Sequence, residues 1–446
     1  MNWQLAIVAA AVLAVAGVSR RLTGTPITTA MAFVAVGLVV GRLAIDGVTA
    51  SPTSQTVRTL AEATLAVVLF ADASRIKLGA LAREYAVPLR LLGIGLPLTI
   101  VLGAALAAAI FTQLNLAEAL VLAIVLAPTD AALGQAVVTE PRLPSRIRQG
   151  LNVESGLNDG ICVPLLLIAL AVADAEDHVT SAHHAVAVVA EEIGYGLLGG
   201  AVAGLAAAAV VAISYRRDLI SGSWLQVIPI AAAALAYGFA AALGGSGFIA
   251  SFVAGAIFGG FVSRKSEEAS RFSEGLGGLL GGVTFLIFGA ILLGPALEHV
   301  TWQTGLYAVL SLTLIRMLPV AIAMIGSGAA LRTIGFLGWF GPRGLASIVF
   351  AVIAVQEAHL AGAETILLAS YVTIACPCSH TGRPQHRSPS AMRAGTSHIQ
   401  AIAARRWRAC RRRTIDRVAR LTPVERYSRF STISLARDHW SGGTTR

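Results

Sequence analysis

Apolar runs of about 20 residues follow one another along this chain as far as position 375, parted by short charged loops, and that length matches the hydrocarbon thickness of a bilayer. Repeated runs of this kind read as transmembrane helices. With 56% hydrophobic and 13% charged residues and a mean hydropathy of +0.73, a soluble domain is excluded. The first run, Trp3 to Ser19, has neither a basic start nor a small-residue cleavage site, so it reads as a first span and not as a removed signal. The four cysteines form no metal or disulfide pattern: Cys162 lies in a span and the others follow residue 375.

Thirteen spans are expected, near 3–19, 26–45, 57–74, 87–111, 117–138, 149–172, 185–213, 224–243, 247–262, 274–294, 303–327, 337–357 and from 364 onward. Charge tests this count. The formal net charge of +10 belongs to the end of the chain, because residues 376–446 hold 15 arginines, no lysine and 3 acids, leaving 19 basic against 21 acidic residues before them. The basic balance is therefore no sign of nucleic-acid binding. Of those 19 basic residues, 15 fall in odd-numbered loops or adjoining helix ends, among them Arg20, Arg21, Arg75, Lys77, Arg216, Arg217, Arg264 and Lys265. Only Arg42 and Arg58 flank even-numbered loops, while Arg316 and Arg343 lie within spans. The positive-inside rule puts the odd loops in the cytoplasm, the N-terminus outside and the C-terminus inside. The even loops carry acids and histidines, including His178, His183 and His184, which are assigned no role. Glu191 and Glu192 read as solvated caps, and the glycines of the spans read as close helix packing.

Several ionisable and polar side chains sit inside the apolar runs, where their cost makes function the first hypothesis. Pro128 interrupts the fifth span, and Thr129 and Asp130 stand at the break. Broken helices expose carbonyls and half-helix ends that can hold an ion. In the sixth span Asp159 lies about ten residues, roughly 15 Å, from the cytoplasmic end. Glu154 and Asn158 share one face of that helix; Ser155 and Asp159 share the next. Oxygen ligands suit a hard cation. Burial disfavours a bare carboxylate, so Asp159 can hold either a proton or a cation. A site that cannot hold both, in a protein of alternating access, is an exchanger. The bland alternative for each acid is a fixed ion pair with a buried arginine, Arg343 or Arg316, and it weighs most for Glu154. Asp72 either lines a cytoplasmic funnel or pairs at the interface with Arg75 or Lys77.

Ala127-Pro128-Thr129-Asp130, then Glu154-Ser155-Gly156-Leu157-Asn158-Asp159-Gly160, resemble the paired motifs of sodium/proton antiporters of the NhaP/NHE type, the monovalent cation:proton antiporter-1 family. Phe340-Gly341-Pro342-Arg343-Gly344-Leu345-Ala346-Ser347 resembles that family's late Gly-x-Arg-Gly motif. The likeness covers roughly residues 5–375 in matching order and spacing. One departure is Ala131, where relatives often carry proline. The resemblance implies an all-α polytopic membrane protein with an inverted-repeat antiporter fold and interrupted helices. It implies a homodimer in a plasma membrane of bacterial type, in contact with lipid, whose mobile core bundle exchanges one monovalent cation (Na⁺, or Li⁺ or K⁺) for one proton. No cofactor and no resident metal are implied; the cation is cargo. In that reading Asp159 is the carrier, Asp130, Thr129 and Ser155 help coordinate the cation, and Asn158 braces the site. Glu154 pairs with an arginine, Arg343 by preference and Arg316 second.

After Ala375 the pattern stops, although the last span should run on for about ten more apolar residues. Codons 375–390, read one base earlier, permit an apolar run followed by His-Gly and Pro-Leu, which resembles the family's usual last-helix ending. A frameshift near codon 376 is therefore expected, with an Arg-rich, non-native segment beyond it. A basic tail that binds anionic lipid is the alternative. Three further readings compete with exchange. One is a cation channel or sensor on the same fold, for which no repeated filter is visible. Another is an intramembrane hydrolase using Ser155, which lacks a Gly-x-Ser-x-Gly context. The last is an inactive product of a damaged gene.

Overall fold

A computed structural model describes residues 2–22, 28–43, 55–74, 86–130, 145–177, 182–219, 227–262, 267–357 and 360–380. The Arg-rich segment, and with it the frameshift expectation, lies outside them, as do Arg75, Lys77 and His178. Among the described residues the only regular structure is helix, as a chain in lipid must be when each span satisfies its own backbone. The helices are α1 (Asn2–Leu22), α2 (Thr29–Leu43), α3 (Gln55–Ser74), α4 (Ala86–Ile110), α5 (Leu116–Val125), α6 (Ser145–Asp177), α7 (Ala182–Arg216), α8 (Ile228–Ala242), α9 (Gly247–Val262) and α10 (Glu267–Ile287). They continue with α11 (Trp302–Leu312), α12 (Leu314–Ala323), α13 (Leu331–Trp339), α14 (Leu345–Glu357) and α15 (Ala363–His380). A helix lies in each stretch the apolar runs predict. Among the described residues five helices are long and apolar enough to cross a membrane alone, the longest being Ala187–Arg216 within α7.

Small residues set the close contacts. On α7, Gly196, Gly200 and Gly204 recur every fourth position and meet Ser246, just before α9, and Ala250 and Ala254 within it, so the glycine-rich run is packing, as expected. A Cβ at Gly200 would stand 2.5 Å from the Ala250 carbonyl oxygen. The other side of α9 presses Gly255 and Gly259 onto the backbone of α3 at Phe70 and Ser74.

Three spans are interrupted. The fifth ends its helix at Val125, three residues before Pro128, with Leu126 to Asp130 non-helical. The twelfth was expected as one helix over 337–357; it is instead α13, a non-helical stretch at 340–344, and α14. The cause is Pro342, which offers no N–H and bars helical backbone at the residue before it, flanked by Gly341 and Gly344. The eleventh, expected over 303–327, divides at Thr313, where φ −110° and ψ −88° part α11 from α12. In the last span the apolar pattern stops at Ala375, but the helix continues to His380.

α5 and α14 are the two half-helices that face each other in the middle of the molecule. Every residue of α14 from Leu345 to Ala354 is buried, as are Val121 to Val125 of α5. A helix apolar all round is one surrounded by protein. These two adjoin two of the three backbone breaks seen among the described residues, which are tolerated at membrane depth only where protein encloses them.

Candidate functional site

The site forms where the broken strands of the two half-helices cross. The Asp130 N–H donates to the Pro342 carbonyl at 2.9 Å. The Asp130 carboxylate in turn accepts the Leu345 N–H at 3.4 Å, at the N-terminus of α14, where the helix dipole favours negative charge. Gly344 has to be glycine here: a Cβ on it would coincide with the Asp130 carboxylate.

α6 is fastened to this crossing through Thr129. Ser155 Oγ donates to the Thr129 carbonyl and Asn158 Nδ2 to Thr129 Oγ1, each at 2.8 Å. These bonds follow from the helical spacing: Ser155 and Asn158 are three apart and reach the same broken segment. Asp159 stands beside them, 8% exposed. Two oxygens there, Asn158 Oδ1 and Asp159 Oδ1, are buried without a hydrogen-bond partner among the described residues. Below Asp159 on α6, Gly156 lies against Asp72 of α3, and above it Gly160 lies against the ring of Phe252 of α9. Asp72 is half-buried and so placed one turn from Asp159, whereas its interfacial pairing with Arg75 or Lys77 concerns residues outside those described.

The arginines trade places relative to expectation. Glu154 pairs with Arg316 of α12, Nη2 to Oε1 at 2.6 Å, with both side chains nearly wholly buried. Arg343, the preferred partner on sequence, is fully buried elsewhere. Its Nη1 donates to the carbonyls of Ala127 and Pro128 at 3.1 and 3.5 Å, and its Nη2 to that of Ser311 at 3.2 Å. These carbonyls lost their helical partners when α5 ended and α11 broke at Thr313, and a guanidinium with several donors in one plane can serve both breaks. Arg316 reaches Glu154 by crossing Gly341, whose missing side chain leaves the space: a Cβ there would be 2.7 Å from Arg316 Nε.

Sequence reasoning missed Glu118, which is 1% exposed at the start of α5. Its signal was present, since Asn115-Leu116-Ala117-Glu118 is a capping box, with the Asn115 side chain and Glu118 side chain capping each other's N–H. Glu191 and Glu192, expected as solvated caps, lie instead about ten residues inside α7, the first exposed and the second half-buried, because that helix begins at Ala182. Among the described residues there is no cluster of metal-ligating side chains of the kind that holds a resident metal.

The sequence matches the family model for the sodium/hydrogen exchanger, transmembrane, over residues 7–381. Among curated proteins it is similar to a probable Na⁺/H⁺ antiporter of Schizosaccharomyces pombe, 27% identical over 267 residues that make up 56% of this chain and 34% of that one. It is also similar to the K⁺/H⁺ antiporter NhaP2 of a Shewanella species, 26% identical over 361 residues, covering 80% of this chain and 61% of that one. The chain thus spans from about a third to three fifths of the length of these relatives. Among solved structures, the sodium proton antiporter MjNhaP1 from Methanocaldococcus jannaschii shares the fold, with a TM-score of 0.68 at 18% identity over 86% of this chain and 100% of that one. On the match from residue 7 to 381 the chain belongs to the sodium/hydrogen exchanger family.

Proposed function

We propose that this protein is a secondary antiporter that exchanges a monovalent cation for a proton at Asp159. The observation that carries this is the pair of unpartnered buried oxygens, Asn158 Oδ1 and Asp159 Oδ1, beside the Thr129–Ser155 junction. A bare carboxylate in that position is costly, and either a proton or a cation removes the cost. One oxygen cannot take both at once, so loading one expels the other. Asp130 closes the crossing and contributes a second charge near the cation; the Thr129 and Ser155 oxygens complete a hard-oxygen shell of the kind Na⁺, Li⁺ or K⁺ accepts. Asn158 braces Thr129 through its amide. Glu154 is neutralised by Arg316 and takes no part in exchange. Asp72, one turn toward the cytoplasm, receives the cation on its way in.

Trading one cation for one proton leaves the buried charge unchanged, which favours electroneutral exchange. By the same reading the protein is a homodimer in the cell membrane with its N-terminus outside. The names of its relatives, Na⁺/H⁺ and K⁺/H⁺ antiporters, support the substrate class. A hydrolase using Ser155 is disfavoured, because that hydroxyl donates to the Thr129 carbonyl. The test is proton flux in proteoliposomes on adding Na⁺, Li⁺ or K⁺, with Asp159→Asn beside the parent protein. Cation-driven flux that the substitution abolishes supports the proposal. Flux that persists assigns the carrier wrongly, and silence with all three cations favours an inactive product.

A further inference from the structure

Glu118 lies outside the site and has no part in the exchange described above. It sits at the first turn of α5, where its carboxylate accepts two backbone N–H groups, Asn115 on Oε2 at 3.1 Å and Gly362 on Oε1 at 2.6 Å. The first bond completes the capping box. The second does something a cap does not need: it reaches the connection between α14 and α15. Beside it Gln113 Nε2 donates to Thr365 Oγ1 at 3.2 Å, a second tie across the same junction. Gly362 has no room for a side chain, since a Cβ would collide with Leu114 and crowd both Glu118 oxygens. A capping glutamate can work in water; burying one is costly unless each oxygen is bonded.

The consequence is topological. α5 runs from Glu118 toward Thr129 and Asp130, and α14 runs back from Leu345 toward Gly362. The two antiparallel half-helices are joined at the site by Asp130, which bonds Pro342 and Leu345. At the other end of α5, roughly 15 Å away at 1.5 Å per residue, Glu118 ties it to Gly362, in the connection that follows α14 and one residue before α15. We propose that Glu118 is a positioning residue for exchange. It clamps the start of α5 to the connection between α14 and α15, closing the pair of half-helices at the end away from the site, and so sets where Thr129 and Asp130 stand relative to Asp159 on α6.

This rests on the antiport reading, and its test separates the two. Glu118→Gln keeps shape and volume but replaces one accepting oxygen with an NH₂ that faces an N–H. Gly362→Ala disturbs the same bond from the other side. Asn115→Ala removes the cap side chain and leaves the Gly362 tie. All three are compared with the parent protein in proteoliposomes and by thermal unfolding. The clamp predicts that E118Q and G362A raise the apparent KM for the transported cation roughly twofold to tenfold, the scale of one lost hydrogen bond. N115A lowers the melting temperature and leaves KM alone. An unchanged KM in E118Q and G362A, whatever their melting temperatures, overturns the proposal. Amide hydrogen exchange over 340–350, measured on the same samples, depends on no flux. It speeds up in E118Q if the clamp is real, and parental exchange there overturns the proposal even if the parent protein proves silent in transport.

Discussion

Glu154 and Arg316 provide the sharpest energetic test. Their charged atoms are 2.6 Å apart with side-chain exposures of 3% and 4%, so little water screens them. At that separation the Coulomb attraction is roughly 6 kcal/mol for an effective dielectric of about 20, and desolvation of the two ions takes back much of it. Removing one partner strands the other charge in the protein interior. Glu154→Leu or Arg316→Met should therefore each cost about 3–5 kcal/mol. That is a large part of the roughly 5–15 kcal/mol that holds a typical fold together. Replacing both, Glu154→Leu with Arg316→Met, removes two ions at once and should restore most of the loss. Unfolding free energies from SDS titration in mixed micelles give the coupling energy. With two single losses of that size and a double close to the parent, it should exceed about 5 kcal/mol for Glu154 with Arg316 and be clearly smaller for Glu154 with Arg343, whose guanidinium bonds backbone carbonyls instead. Additive losses for the first pair, or equal coupling to Arg343, would refute the assignment.

Two further outcomes follow from the crossing of the half-helices. Gly344→Ala places a methyl on the Asp130 carboxylate and must push it off the Leu345 N–H. A cost of about 1–3 kcal/mol in stability is expected, together with loss of cation-driven flux, measured by unfolding and by transport. The proposed competition at Asp159 also fixes the sign of the pH dependence. The cation binds only the deprotonated carboxylate, so lowering the pH through the site's titration raises the apparent KM by about tenfold per unit, with a plateau on the alkaline side. Flux measured over a range of cation concentrations at each pH checks this, and a KM indifferent to pH would contradict it.

Much of the site was legible in the sequence because charge and proline are expensive in lipid. Asp130, Glu154 and Asp159 stood out against apolar runs, and Pro128 announced the end of α5. The partner of Glu154 was not legible. Helix periodicity assigns faces within one helix but says nothing of which arginine on two other helices comes within reach. The fold resolved it through Gly341, over which Arg316 passes. The break between α13 and α14 was signalled by Gly341, Pro342 and Gly344 but was hidden inside one apolar run. That at Thr313 had no glycine or proline at the position to mark it. Glu118 was overlooked because a capping glutamate ordinarily faces water, and only the fold brings Gly362 to its other oxygen.

In the proposed exchange one buried carboxylate on α6, Asp159, carries either the cation or the proton. Purified protein in proteoliposomes with an imposed pH gradient tests it most directly, by the dissipation of that gradient when Na⁺, Li⁺ or K⁺ is added. The parent protein is expected to dissipate the gradient with at least one of these cations, and Asp159→Asn, folded and inserted to the same extent, is not. Cation-driven proton movement that survives Asp159→Asn would contradict it.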